Sequence, residues 1–87
     1  MDASALHENE ISGIVIDAAM QIHKRLGPGL LESVYEVILA YELRKRGLNC
    51  ERQVSVPIVY DSLRFDEGFR IDLMVEEKVV VELKSIE

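Results

Sequence analysis

Apolar residues recur through the first third of the chain at helical spacing. Ile11, Val15, Ala18, Ile22 and Leu26 form one stripe, widened by Ala19, which predicts an amphipathic helix over residues 8 to 26. Asn9 or Ser12 is the expected cap. Gly27-Pro28-Gly29 ends the helix, because proline disfavours helical backbone in the residue before it and glycine accepts the turn. A second helix is predicted over residues 30 to 46, with Leu31, Val34, Tyr35, Ile38, Leu39 and Leu43 on its buried side and Gly47 as its stop. Arg44-Lys45-Arg46 lies in its last turn, where cations meet the negative end of the helix dipole. That favours helix-end chemistry over a phosphate contact for the triplet.

The period then changes to two. Val54, Val56, Ile58 and Tyr60 alternate as a strand, with Pro57 pointing to a free edge. Asp61-Ser62 makes a hairpin turn into Leu63-Arg64-Phe65. Pairing Tyr60 with Leu63 then sets Ile58 against Phe65 and Val54 against Phe69, with Gly68 marking a bulge or a close backbone approach. Phe69, Ile71, Leu73 and Val75 share one face, as do Val79, Val81 and Leu83 in the following run. Arg70, Asp72, Glu82 and Lys84 take the other face. A two-residue loop at Glu76-Glu77 would mix polar and apolar residues on one face. A three-residue loop or bulge sets Val75 against Val79, Leu73 against Val81, Ile71 against Leu83 and Asp72 against Glu82, and this register is the one expected. The fold class is therefore α+β, of the α/β sandwich type: two helices, then a three-stranded antiparallel meander.

This register has a chemical consequence. Asp72 and Glu82 face each other across neighbouring strands and repel unless a positive charge lies between them. A hard divalent cation suits the place, and Mg²⁺ takes one or two carboxylates while keeping its other positions for water and phosphate. Lys84, two residues beyond Glu82, points into the same space.

The 87 residues make one small domain spanning 1–87, with no linker and no internal repeat. Sixteen acidic residues against ten basic ones give a net charge of −6, which opposes broad non-specific binding to nucleic acid but leaves room for a local cluster of cations. No apolar run approaches the roughly 18 residues of a membrane span. The acidic N-terminus lacks the order of a signal peptide, so a cytoplasmic protein without membrane contact is expected. Cys50, alone in the chain, excludes an internal disulfide and a Cys-rich zinc site, and reads as a small buried hydrophobe. His7 and His23 read as surface or helix-flank residues.

An Asp on one strand followed by Glu-x-Lys on the next, here Asp72 and then Glu82-Leu83-Lys84, resembles the signature of the PD-(D/E)XK nuclease superfamily. Upstream, Gly29-Leu30-Leu31-Glu32-Ser33-Val34-Tyr35 resembles the Gly-x-x-Glu-x-x-Tyr motif of one branch of it, and the similarity runs from about Glu8 to Lys84. On local grounds Glu32 is a helix-start carboxylate. The resemblance instead makes it a third acid of a metal site, with Asp72, Glu82 and the backbone carbonyl of Leu83. Lys84 would orient the attacking water, and Arg70 is a supporting residue. Tyr35, one turn beyond Glu32, either holds Glu32 in place or is core with a wet hydroxyl.

The resemblance implies Mg²⁺, with Mn²⁺ as a substitute, and DNA or RNA as partner. It also implies a restriction-endonuclease-like core with a further helix and strand after the Glu-x-Lys segment, whereas this sequence stops at Glu87. From that an incomplete core is expected, with an open sheet edge that self-associates and with poor cleavage or none by the 87-residue chain. Two alternatives from other classes stand beside the nuclease. One is a non-catalytic oligomeric or interaction domain on the same scaffold, its strand charges simply solvated. The other is a protein-binding module working by strand addition at the open edge.

Overall fold

His7, rather than Asn9 or Ser12, opens the first helix, α1 (Glu8–Leu26). Its Nδ1 accepts from the Asn9 N–H at 3.1 Å, and the Glu10 carboxylate accepts from the His7 N–H at 3.2 Å. This is a capping box with histidine in place of the usual hydroxyl residue. The computed structural model describes residues 5–84. Within α1 the stripe of Ile11, Val15, Ala18 and Ile22 is buried as expected, while Leu26 turns out to solvent.

The second helix, α2 (Glu32–Lys45), starts later than its apolar pattern suggests, with Leu31 as its cap residue. Leu39, Ala40 and Leu43 are buried, but so is Glu36, whereas Leu31 and Val34 are exposed. The buried face is thus rotated from the expected one, and a carboxylate occupies part of it. Gly47, with φ of 90°, closes the helix: its N–H donates to the Arg44 carbonyl and that of Leu48 to the Leu43 carbonyl, both at 3.0 Å. Those two bonds are the Schellman pattern, here with both Leu43 and Leu48 buried. Arg44 donates twice to the Cys50 carbonyl, and Arg46 pairs with Asp17 at 2.7 Å and Glu42 at 3.3 Å. Two of the three basic residues are thereby committed to the fold.

Three antiparallel strands follow in the order β1-β2-β3: β1 (Cys50–Tyr60), β2 (Leu63–Val75) and β3 (Val79–Val81). Tyr60 faces Leu63 and Ile58 faces Phe65, as the turn dictates. The register then shifts between Ile58 and Val56, so that Val56 faces Phe69 and Val54 faces Ile71, not Phe69. Asp66-Glu67-Gly68 supplies the extra residues opposite Pro57, which has no N–H to offer a ladder. Gly68 also sits where a Cβ would lie 2.3 Å from the Ile58 side chain. The close approach expected there is real.

Val75 pairs with Val79 and Leu73 with Val81, the register that keeps the apolar faces together. The loop has three residues, closed by the Lys78 N–H on the Val75 carbonyl at 3.0 Å, with Glu76 and Glu77 both left-handed. Glu76 holds this geometry from outside the hairpin. Its N–H donates to the Asn49 carbonyl at 2.9 Å and its buried carboxylate accepts from the Asn49 N–H. The core closes between Leu73 and Val75 of the central strand and the buried residues of both helices, with Val79, Val81 and Leu83 packed at its margin. Cys50 belongs to that core, and burial raises its thiol pKa. The distal half of the β1–β2 hairpin runs beyond the helices, leaving Tyr60, Leu63, Phe65 and Phe69 exposed.

Candidate functional site

The first turn of α2 and the C-terminal part of β2 meet at one end of the sheet. Glu32 and Glu36 lie four residues apart on α2 and so on one side of the helix. They have different fates. Glu36 is only 5 % exposed and accepts from Arg52 Nη2 at 3.0 Å and from Gln53 Nε2. Its charge is thus matched by a cation and a donor, which is the condition for burying a carboxylate at tolerable cost. Glu32 stands a turn closer to solvent, exposed, at the positive end of the helix dipole.

The backbone around Asp72 is irregular on both sides. Gln53, which β1 would set opposite Asp72, is left-handed with φ of 54°, and the ladder skips that pair between Arg52–Leu73 and Val54–Ile71. On the other side the β2–β3 ladder ends at Leu73 and Val81, so the expected pairings of Asp72 with Glu82 and Ile71 with Leu83 are not made by regular strand. In their place Asp72 Oδ2 accepts from the Leu83 N–H at 2.9 Å. The Asp72 side chain therefore substitutes for a strand neighbour and ties the Glu82-Leu83-Lys84 segment to β2. Arg70 reaches across to the Gln53 side-chain oxygen at 3.5 Å, extending the chain of contacts from Glu36 through Gln53.

Two adjoining hollows result. One, about 180 Å³, is lined by Glu32, Ser33, Glu36, Gln53, Asp72 and Leu83. The second, about 610 Å³, includes His23, Glu32, Tyr35, Glu82, Leu83 and Lys84, with the Gly27-Pro28-Gly29-Leu30 loop as one wall. Glu32 and Leu83 belong to both. The sequence-derived residues are thus gathered at one end of the domain, with Asp72 on one side of Glu32 and Glu82 with Lys84 on the other. Tyr35 lines the larger hollow, but its hydroxyl donates to the Ala19 carbonyl of α1 at 3.4 Å, bracing α2 against α1. Burial raises its pKa, so it stays a neutral donor.

Among the described residues, no three His, Cys, Asp or Glu side chains converge as a ready-made metal cluster. The donor chemistry nonetheless fits a hard cation, since Asp72, Glu82, Glu32 and the Leu83 carbonyl offer only oxygen. Asp72 commits one carboxylate oxygen to Leu83, which leaves the other for a further ligand.

Sequence reasoning missed Glu36, Gln53 and His23 as residues of this region. A signal for Glu36 existed in its four-residue spacing from Glu32. Gln53 carried none, because its left-handed backbone arises from tertiary contacts. His23 is the exposed helix-flank residue that its sequence position predicts, and the end of α1 also places it at the wall of the larger hollow.

Two helices on one face of an antiparallel meander, with carboxylates from the second helix and the central strand at one end, define an α+β domain consistent with a nuclease core. The family model of the PD-(D/E)XK nuclease superfamily matches residues 9–87, so the chain belongs to that superfamily. No curated protein and no solved structure gives a significant match. Among the described residues, no helix is long and apolar enough to cross a membrane.

Proposed function

We propose that this domain is a metal-dependent nuclease of the Gly-x-x-Glu-x-x-Tyr branch, hydrolysing phosphodiester bonds in DNA or RNA. The observation that carries this is the 2.9 Å bond from the Leu83 N–H to Asp72, which joins the two halves of the motif where strand pairing does not. Superfamily membership supports it. Asp72, Glu82 and the Leu83 carbonyl are the Mg²⁺ ligands, Mn²⁺ substitutes, and Glu32 completes the site from the helix. When bound, the ion supplies a Lewis acid for the phosphoryl oxygen and a lowered pKa for water. Lys84 orients the attacking water and offsets charge that builds on the phosphate oxygens. Arg70 and Tyr35 act at one remove, Arg70 through Gln53 and Tyr35 by fixing α2.

A test separates these roles. Lys84→Ala should lower the cleavage rate by about 10²-fold or more, the scale of losing one transition-state donor, while Mn²⁺ affinity by titration stays within about twofold. Equal losses in both would make Lys84 part of the ion's support instead.

A second reading, a non-catalytic oligomeric domain, is favoured by one observation. Val80 on β3 and the apolar residues of the distal hairpin are exposed, and among the described residues β3 pairs on one side only. Open strand edges beside apolar surface invite pairing with a second copy. Sedimentation of the 87-residue chain at micromolar concentration should therefore give a dimer or larger. A clean monomer would remove both this reading and the edge-mediated assembly.

A further inference from the structure

We propose that a single-stranded nucleic acid runs from the larger hollow across the last turn of α1 into the groove between the helices. Its phosphates would rest on Arg25 and Lys45, and a base would stack on Tyr41. This rests on the nuclease assignment of the hollow and names the form of substrate that the hollow receives.

The last turn of α1 is a wall common to both places. His23 faces the hollow that holds Glu32, Glu82 and Lys84, while Ile22, Arg25 and Leu26 line a groove of about 310 Å³ with Ile38, Tyr41 and Lys45 of α2. The groove and the hollow share no lining residue, but they border successive residues of that turn, Ile22 on one and His23 on the other. Glu42 also lines the groove, but Arg46 holds its carboxylate at 3.3 Å.

The cations sort by what they already do. Arg44 is spent on the Cys50 carbonyl and Arg46 on Asp17 and Glu42. Lys45, between them in sequence, makes only a long, exposed ion pair with Glu42 at 4.0 Å, and Arg25 makes no ion pair among the described residues. In a chain of net charge −6, two such cations beside one groove are a local exception that suits a phosphate backbone.

Tyr41 selects the form of the ligand. It is 63 % exposed on the helix surface although aromatic, and its flat face beside the apolar Leu26 and Ile38 is what an unstacked base prefers. A base inside a duplex has both faces covered already.

The test is fluorescence anisotropy of a labelled oligothymidylate dodecamer with Ca²⁺ in place of Mg²⁺, so that binding is read apart from cleavage. Tyr41→Ala should weaken binding roughly 5- to 150-fold, the range for one stacked base, with Tyr41→Phe restoring most of it. Arg25→Ala with Lys45→Ala should reduce the slope of log affinity against log salt by about 1.4, two phosphates at ~0.7 each on a single strand. Arg64→Ala, on the far hairpin, should change neither.

Variants that bind like the unaltered chain, or an unaltered chain that does not bind, would overturn the proposal. So would loss of self-association in Tyr41→Ala with binding intact, which would give the groove to a second copy of the chain. Binding with the expected variant pattern but no Mn²⁺ held by Asp72 and Glu82 would refute the nuclease assignment and leave the track standing.

Discussion

Leu73→Ala is expected to destabilise the domain by about 2–5 kcal/mol, the usual range for truncating a buried leucine. Leu73 has no exposed surface and sits on the central strand, with Arg52 opposite it on one side and Val81 on the other. Both helices reach the core it belongs to. A domain of this size has roughly 4–13 kcal/mol in all, at ~0.05–0.15 kcal/mol per residue. The loss is therefore a large share of the total, and at the low end of that range it unfolds the chain. With a urea slope of about 1 kcal/mol/M, the midpoint should fall by about 2 M or more. A shift corresponding to less than about 0.5 kcal/mol would place Leu73 outside the core.

One residue earlier, the expected result is the reverse. Asp72→Ala should abolish any Mg²⁺-dependent cleavage by the protein while lowering stability by only about 0.5–1.5 kcal/mol, the net worth of its hydrogen bond to the Leu83 N–H. Glu82→Ala, at an exposed position, should abolish cleavage with a smaller stability cost. The contrast follows from strand alternation: Leu73 points into the helices, while the side chain of Asp72 turns to the gap where β3 leaves the sheet. Cleavage unchanged in Asp72→Ala would assign the activity to another site. Collapse of the fold in Asp72→Ala would make that residue chiefly structural.

How far these features could be read from the sequence depended on how local their causes are. The bounds of α1, the turn at Asp61-Ser62 and the pairing of Val75 with Val79 follow from apolar spacing and turn length, which neighbouring residues determine. The His7 cap escaped because histidine caps are unusual and Asn9 and Ser12 are stronger local signals. The shift at Val56 and Phe69 escaped because pairing outward from a turn carries the register through a bulge without seeing it.

At the site the motif residues were legible as residue types and as neighbours, and Glu32, Asp72, Glu82 and Lys84 do border adjoining hollows. The details between them were not. The burial of Glu36 depends on Arg52 and Gln53, sixteen and seventeen residues away. The end of regular β3 at Val81 depends on Asp72 taking the Leu83 N–H. Both are tertiary choices that periodicity does not encode.

The central claim is that the acids around Glu32 hold a divalent ion. A crystal soaked in Mn²⁺, with anomalous density measured at the manganese edge, tests it most directly. The account predicts one peak within coordination distance, about 2.0–2.3 Å, of Asp72 and Glu82, with Glu32 or its water beside it, and no such peak in Asp72→Ala. Absence of density at saturating Mn²⁺, or a peak held by other residues, would contradict it.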